Sequence, residues 1–201
     1  RIDVESGSIS ETRIKLSEYL GSSSVLGDIS YVAKIQSQNE LIVGGFTNAP
    51  LNRGGGSDNG FIARIKPNGD VVWLNGYAVT NELETLVDAE TRSHGVYALF
   101  RSTRHSNSKS MVARYDPTTG TKSWSREIIG IPKDIAVYDK DIYALYWENE
   151  KGSRLYRMNA ENGEILATIN LSSYAGKLAL GSNGLIIIGS DATYVASRDL
   201  I

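Results

Sequence analysis

The sequence predicts an all-β fold, a propeller of four blades with four antiparallel strands each. Three observations carry this: a strand-turn-strand signature that recurs at a fixed spacing, short alternating apolar runs throughout, and a match in repeat phase between the two chain ends. The signature is clearest in Phe61-Ile-Ala-Arg-Ile-Lys-Pro-Asn-Gly69 followed by Trp73, and in Met111-Val-Ala-Arg-Tyr-Asp-Pro-Thr-Thr-Gly120 followed by Trp124. In both, a tryptophan stands four residues after the glycine. A third copy, Leu155 to Gly163, keeps the phase but places Ala167 where the tryptophans stood. The fourth copy is split, its turn at Gly7 with Glu11 in the tryptophan position and its preceding strand, Tyr194 to Asp199, closing the chain.

Each copy follows two further apolar runs rich in β-branched and aromatic residues, so the repeating unit has four strands. The first unit predicts strands over Tyr31–Ile35, Leu41–Thr47, Phe61–Lys66 and Val71–Ala78. The second predicts Glu84–Ala89, Val96–Ser102, Met111–Asp116 and Lys122–Ile128. The third predicts Asp134–Tyr138, Ile142–Trp147, Arg154–Met158 and Ile165–Leu171. The last predicts Lys177–Leu180, Leu185–Gly189 and Thr193–Ser197, completed from the other end of the chain by Ile9–Leu16. One domain, 1–201, is expected, with units at about 29–78, 79–128, 129–171, and 172–201 joined to 1–20.

Asp3 and Asp199 hold the same repeat position, so the residues between them divide into four units of about 49, the size of a four-stranded blade. An outer strand donated by the N-terminus would complete the last blade, close the ring and remove an exposed sheet edge. The open alternatives are a fragment of a larger propeller and a ring made by two chains, so monomer and dimer are both left standing.

Composition narrows function. With 41% apolar and 22% charged residues the chain can fold around a core, and one of this length buries roughly 70% of its unfolded surface without disulfides or a structural metal. The absence of cysteine removes thiolate catalysis and cysteine-based zinc sites. A formal charge of −2 gives no global field for nucleic acid or anionic lipid. The longest strongly apolar run, Leu185 to Ile188, falls far short of the roughly 20 residues that span a bilayer as a helix. No nucleic-acid partner and no membrane insertion are expected. Arg1 opens the chain, which implies a processed or excised product. An extracellular, cell-surface or periplasmic setting is favoured for such an assembly domain.

The segment Tyr115-Asp-Pro-Thr-Thr-Gly120 with Trp124 resembles the PQQ-like, quinoprotein-type propeller repeat, and Gly60 to Gly69 is similar to bacterial repeats of seven-bladed-propeller type. The resemblance implies the fold, since such repeats occur both in cofactor-binding dehydrogenases and in scaffolds that bind none. It also implies that Trp73, Trp124 and the turn glycines Gly69, Gly120, Gly163 and Gly7 pack blade against blade. A quinone-dependent enzyme would need a wide ring and bound calcium, for which four blades enclose too little room, so no cofactor is expected.

No residue set points to catalysis. His94 and His105 stand at no ligand spacing, no nucleophile elbow is present, and Gly54-Gly-Gly56 lies in a hairpin loop with no helix to present amides to phosphate. Asp58-Asn59 and Asp191 lack the carboxylate spacing of a calcium loop, so no metal site is assigned. The loops carry what remains. Connections between second and third strands emerge together with the unit-to-unit crossings on one face, and binding residues concentrate on loops held by a rigid scaffold. There, Arg53, Arg101, Arg104 and His105 offer donors, Asp58, Asn59, Glu82, Glu148 and Glu150 offer acceptors, and Trp147 and Tyr174 are candidate aromatic anchors. A non-enzymatic domain that docks a protein partner is the leading expectation. The alternatives are a carbohydrate-binding propeller and a quinoprotein-related enzyme module.

Overall fold

The computed structural model describes residues 27–34, 40–48, 59–77, 83–102, 109–148, 151–181, 184–190 and 193–197. The expected N-terminal closing strand, Ile9–Leu16, and Gly7 lie outside them. Fifteen strands are described, in four antiparallel sheets. The first sheet has the order β1 (Gly27–Lys34), β2 (Leu41–Thr47), β3 (Asn59–Ile65), β4 (Val71–Tyr77). The second runs β5 (Glu84–Arg92), β6 (Gly95–Ser102), β7 (Lys109–Tyr115), β8 (Lys122–Ile129). The third runs β9 (Ile131–Tyr138), β10 (Asp141–Trp147), β11 (Ser153–Asn159), β12 (Ile165–Leu171). The fourth holds β13 (Ala175–Gly181), β14 (Gly184–Gly189) and β15 (Thr193–Ser197). No helix among the described residues is long and apolar enough to cross a membrane.

Strand alternation sends successive side chains to opposite faces, and the second and third sheets bury both faces against their neighbours. Ile42 and Ile62 of the first sheet pack with Leu86, Ala98 and Phe100 of the second. Tyr97, Leu99 and Val112, on the other face of the second sheet, pack with Ile135, Ala144 and Tyr146 of the third. Leu145 and Leu155 then meet Leu185 and Ile187 of the fourth. The core is therefore a series of layers between sheets rather than one central mass. Along the inner side, β1 packs against β5, β5 against β9 and β9 against β13. No packing of comparable extent joins β13 to β1, so the series has two ends among the described residues.

Two bulges recur in the units. The first strands carry one unpaired residue each, at Ser30, Val87, Lys133 and Gly176. The fourth strands carry one at Val72, Ser123 and Leu166, immediately before Trp73, Trp124 and Ala167. A bulge kinks a strand and re-aims the side chains beyond it, and here it turns each tryptophan onto the next sheet's hairpin. The Trp73 indole donates to the Pro117 carbonyl at 3.1 Å and the Trp124 indole to the Ala160 carbonyl at 3.2 Å. Arginines on the third strands take the same path: Arg64 pairs with Glu40 and also donates to the Pro117 carbonyl, and Arg114 donates to the Glu161 carbonyl at 3.4 Å.

The strands differ from the sequence expectation mainly at the first strand of each unit. β9 begins at Ile131 rather than Asp134, and β13 begins at Ala175 rather than Lys177. The bulges at Lys133 and Gly176 break the alternation by which those strands would be recognised.

Candidate functional site

The ends of β10 and β12 and the starts of β11 and β13 meet where the third and fourth sheets adjoin, on the face that carries the second-to-third connections. Trp147, the last residue of β10, is half-buried. Tyr174, in the crossing to β13, is 38% exposed. Their ring centroids lie 5.3 Å apart at 65°, an edge contact. The Lys133 ammonium, on the β9 bulge, stands over the Tyr174 ring at 5.1 Å, within cation–π range. Two strands of the third sheet, β9 and β10, thus converge on one exposed tyrosine in the crossing to the fourth.

Beside the pair, Glu148 is held by Arg154 at 2.8 Å and accepts from the Tyr156 hydroxyl at 3.4 Å. Arg154 in turn donates to Asn170 Oδ1 at 3.0 Å, and the Tyr156 hydroxyl that accepts from it raises its already high pKa. The hairpin that carries Glu148 is closed by the Glu148 amide on the Gly152 carbonyl at 2.9 Å. Behind it, Ser153 is fully buried and accepts the Ala175 amide at 2.7 Å, which fixes the crossing segment against β11.

Of the residues singled out from sequence, Trp147, Glu148 and Tyr174 come together here. Arg101 stands on β6 in the second sheet, and no hydrogen bond or ring contact among the described residues joins it to that group. Asn59 opens β3 and is fully buried. Arg53, Asp58, Glu82, Arg104, His105, Glu150 and Asp191 lie outside the described residues. Lys133, Arg154, Tyr156 and Asn170 were not anticipated. Arg154 faces Tyr146 in the β10–β11 register, so pairing the two predicted strands would have located it beside the hairpin.

A second concentration of ionisable groups lies on the inner strands. Asp88, Asp134 and Lys177 each come directly after the bulge of their first strand, and Tyr31 holds the same register position in β1. Asp88 is hydrogen-bonded to Asp134, whose carboxylate accepts the Leu178 amide at 2.6 Å and pairs with Lys177 at 3.2 Å. Burial first, then the hydrogen bond and the charge of Asp134, push the Asp88 carboxyl up to about 8. Nearby, Glu90 is also raised, mainly by burial and against the pull of Arg92. The carboxyl pair links second, third and fourth sheets. Among the described residues no three histidine, cysteine or acidic side chains are grouped to hold a metal ion.

No protein-family model matches the chain, and no curated protein matches it. Among solved structures it is similar to KlHsv2 with loop 6CD replaced by a Gly-Ser linker, at 12% identity and a TM-score of 0.51, over 88% of this chain and 50% of that one. The chain therefore spans about half the length of that relative. It is also similar to BamB from Moraxella catarrhalis at 13% identity and a TM-score of 0.39, over 82% of this chain and 71% of that one, a superposition too loose to carry an argument. The first likeness bears on fold alone, and it supports a propeller-like arrangement of antiparallel sheets.

Proposed function

We propose that this chain is a non-enzymatic interaction domain that docks a protein partner on the face bearing Trp147, Glu148 and Tyr174. The observation that supports it is the convergence of Trp147 and Lys133, from two strands of the third sheet, onto Tyr174, an exposed aromatic in the crossing to the fourth, held by a rigid layered scaffold. Tryptophan and tyrosine are among the residue types that carry most of the binding energy at protein interfaces. A carbohydrate-binding role is the second reading, since an exposed tyrosine also suits a sugar, but the Lys133 ammonium already stands over a face of the ring. A quinoprotein-related enzyme module is the third. Under the leading reading the domain serves a secreted, periplasmic or cell-surface assembly.

The test is a photo-crosslinker placed at Lys151, beside the patch, and in a second preparation at Thr118, on the opposite set of turns, each incubated with extract of the source organism. A protein adduct formed from position 151 alone, and lost in W147A/Y174A, supports the reading. Adducts from both positions or from neither remove it, and glycan-array binding that needs Tyr174 would move the assignment to the sugar reading.

The repeat signature and the layered packing support a PQQ-like propeller of four blades, 1–201, whose ring is closed by residues 1–20. Light scattering decides closure. A mass near 21.9 kDa fits a ring closed within one chain, and twice that mass fits two arcs that complete each other.

A further inference from the structure

Resting on that reading, we infer that the partner presents a carboxylate to the Lys133–Tyr174 pair, from an aspartate or glutamate adjoining an apolar side chain. The charge arrangement carries this. Glu148, the acid nearest the patch in sequence, is engaged by Arg154 and Tyr156. Asp134, next to Lys133 in sequence, is buried and engaged by Asp88, Lys177 and the Leu178 amide. Among the described residues Lys133 makes no ion pair, and its one described contact is the Tyr174 ring.

The tyrosine adds to the same preference. An aromatic ring is negative on its face, where the ammonium already sits, and positive at its edge. With the Lys133 ammonium over one of its faces, the part-exposed Tyr174 ring offers an approaching acceptor a fixed positive charge. A carboxylate meets that charge, and a charge-assisted hydrogen bond at a partly covered lysine is stronger than a neutral one. The exposed part of the ring and the half-buried Trp147 leave apolar surface for the residue beside the acid. The Lys133 ammonium and the indole at 65° leave less room for a sugar laid flat on the tyrosine.

The test is selection of a random 12-residue peptide phage library on the whole chain, with counter-selection on W147A/Y174A, then titration of the synthetic winners. The inference expects the winners to share an aspartate or glutamate, to bind K133Q about tenfold more weakly, to bind K133R nearly as well as the parent, and to weaken as salt rises. Winners that need Trp147 and Tyr174 but carry no acid, or that bind K133Q as tightly as the parent, overturn the carboxylate and leave the docking face standing. Winners indifferent to Trp147 and Tyr174 overturn both. Unchanged thermal unfolding of K133Q and K133R establishes that neither variant acts through the fold.

Discussion

The indole of Trp73 lies directly over Gly120: a Cβ on that glycine would stand 2.7 Å from the ring, with the backbone at φ +73°. The pair belongs to two different sheets, so a side chain in one unit occupies the space that the next unit's hairpin leaves by having none. Trp124 and Gly163 repeat the relationship, again at 2.7 Å and with φ +71°.

Replacing Gly120 with alanine combines a left-handed backbone for a non-glycine residue with a collision against a ring that has nowhere to retreat. The expected loss is at least about 2 kcal/mol, read from urea unfolding. A loss below half of that would show that the two sheets slide apart without penalty.

Truncating the tryptophans separates two degrees of burial. W73A removes a side chain only 7% exposed together with its bond to Pro117, and the expected cost is about 3–5 kcal/mol. W124A acts on a half-buried ring and should cost less. Equal costs, measured by the same unfolding curves, would contradict burial as the source of the difference.

Ser153 offers a local test. S153A leaves the buried Ala175 amide without its 2.7 Å acceptor, a loss of about 1–3 kcal/mol concentrated where the fourth sheet joins the third. Hydrogen exchange should quicken in β13 and β14 while β6 and β7 keep their protection. A uniform rise across all sheets would place the effect elsewhere.

Asp88 should give stability a characteristic pH dependence. Its folded pKa of about 8 lies above the ordinary aspartate value of 3.8, so between those values the folded chain holds a proton that the unfolded chain releases. The stability tied to this proton is complete below the unfolded value and is lost as pH rises through about 8. D88N keeps a side chain able to donate to Asp134 and cannot titrate. The difference in melting temperature between D88N and the parent should therefore grow in favour of D88N from pH 5 to pH 9. A difference independent of pH would assign the inner carboxyls no shared proton.

The third strands, their hairpins and the tryptophans were legible because they repeat with little variation: Phe61 to Trp73 and Met111 to Trp124 align residue for residue apart from one insertion in the turn. The first strands were legible only in part. Pro132 in β9 and Gly176 in β13 read as loop residues, and the bulges beside or at them reverse the face of every later residue in the strand. The carboxyl pair escaped for the same reason, since Asp88 and Asp134 are brought to one level by bulges that no alternation announces. The candidate face was half legible. Trp147 and Tyr174 stood out by residue type, whereas Lys133 acquires significance only when a crossing between sheets brings it over the tyrosine.

The tryptophan and arginine that reach forward from the first and second units, and the glycine hairpin that receives them, give each of those junctions a direction. Such a joint behaves like a link in a chain: any unit with a hook on one side and an eye on the other can come after any similar unit. Length can then change by whole units through duplication or loss in a gene, without redesigning a single contact. Ala167, which ends the described run of hooks, marks the one link where that rule gives way to a different fastening.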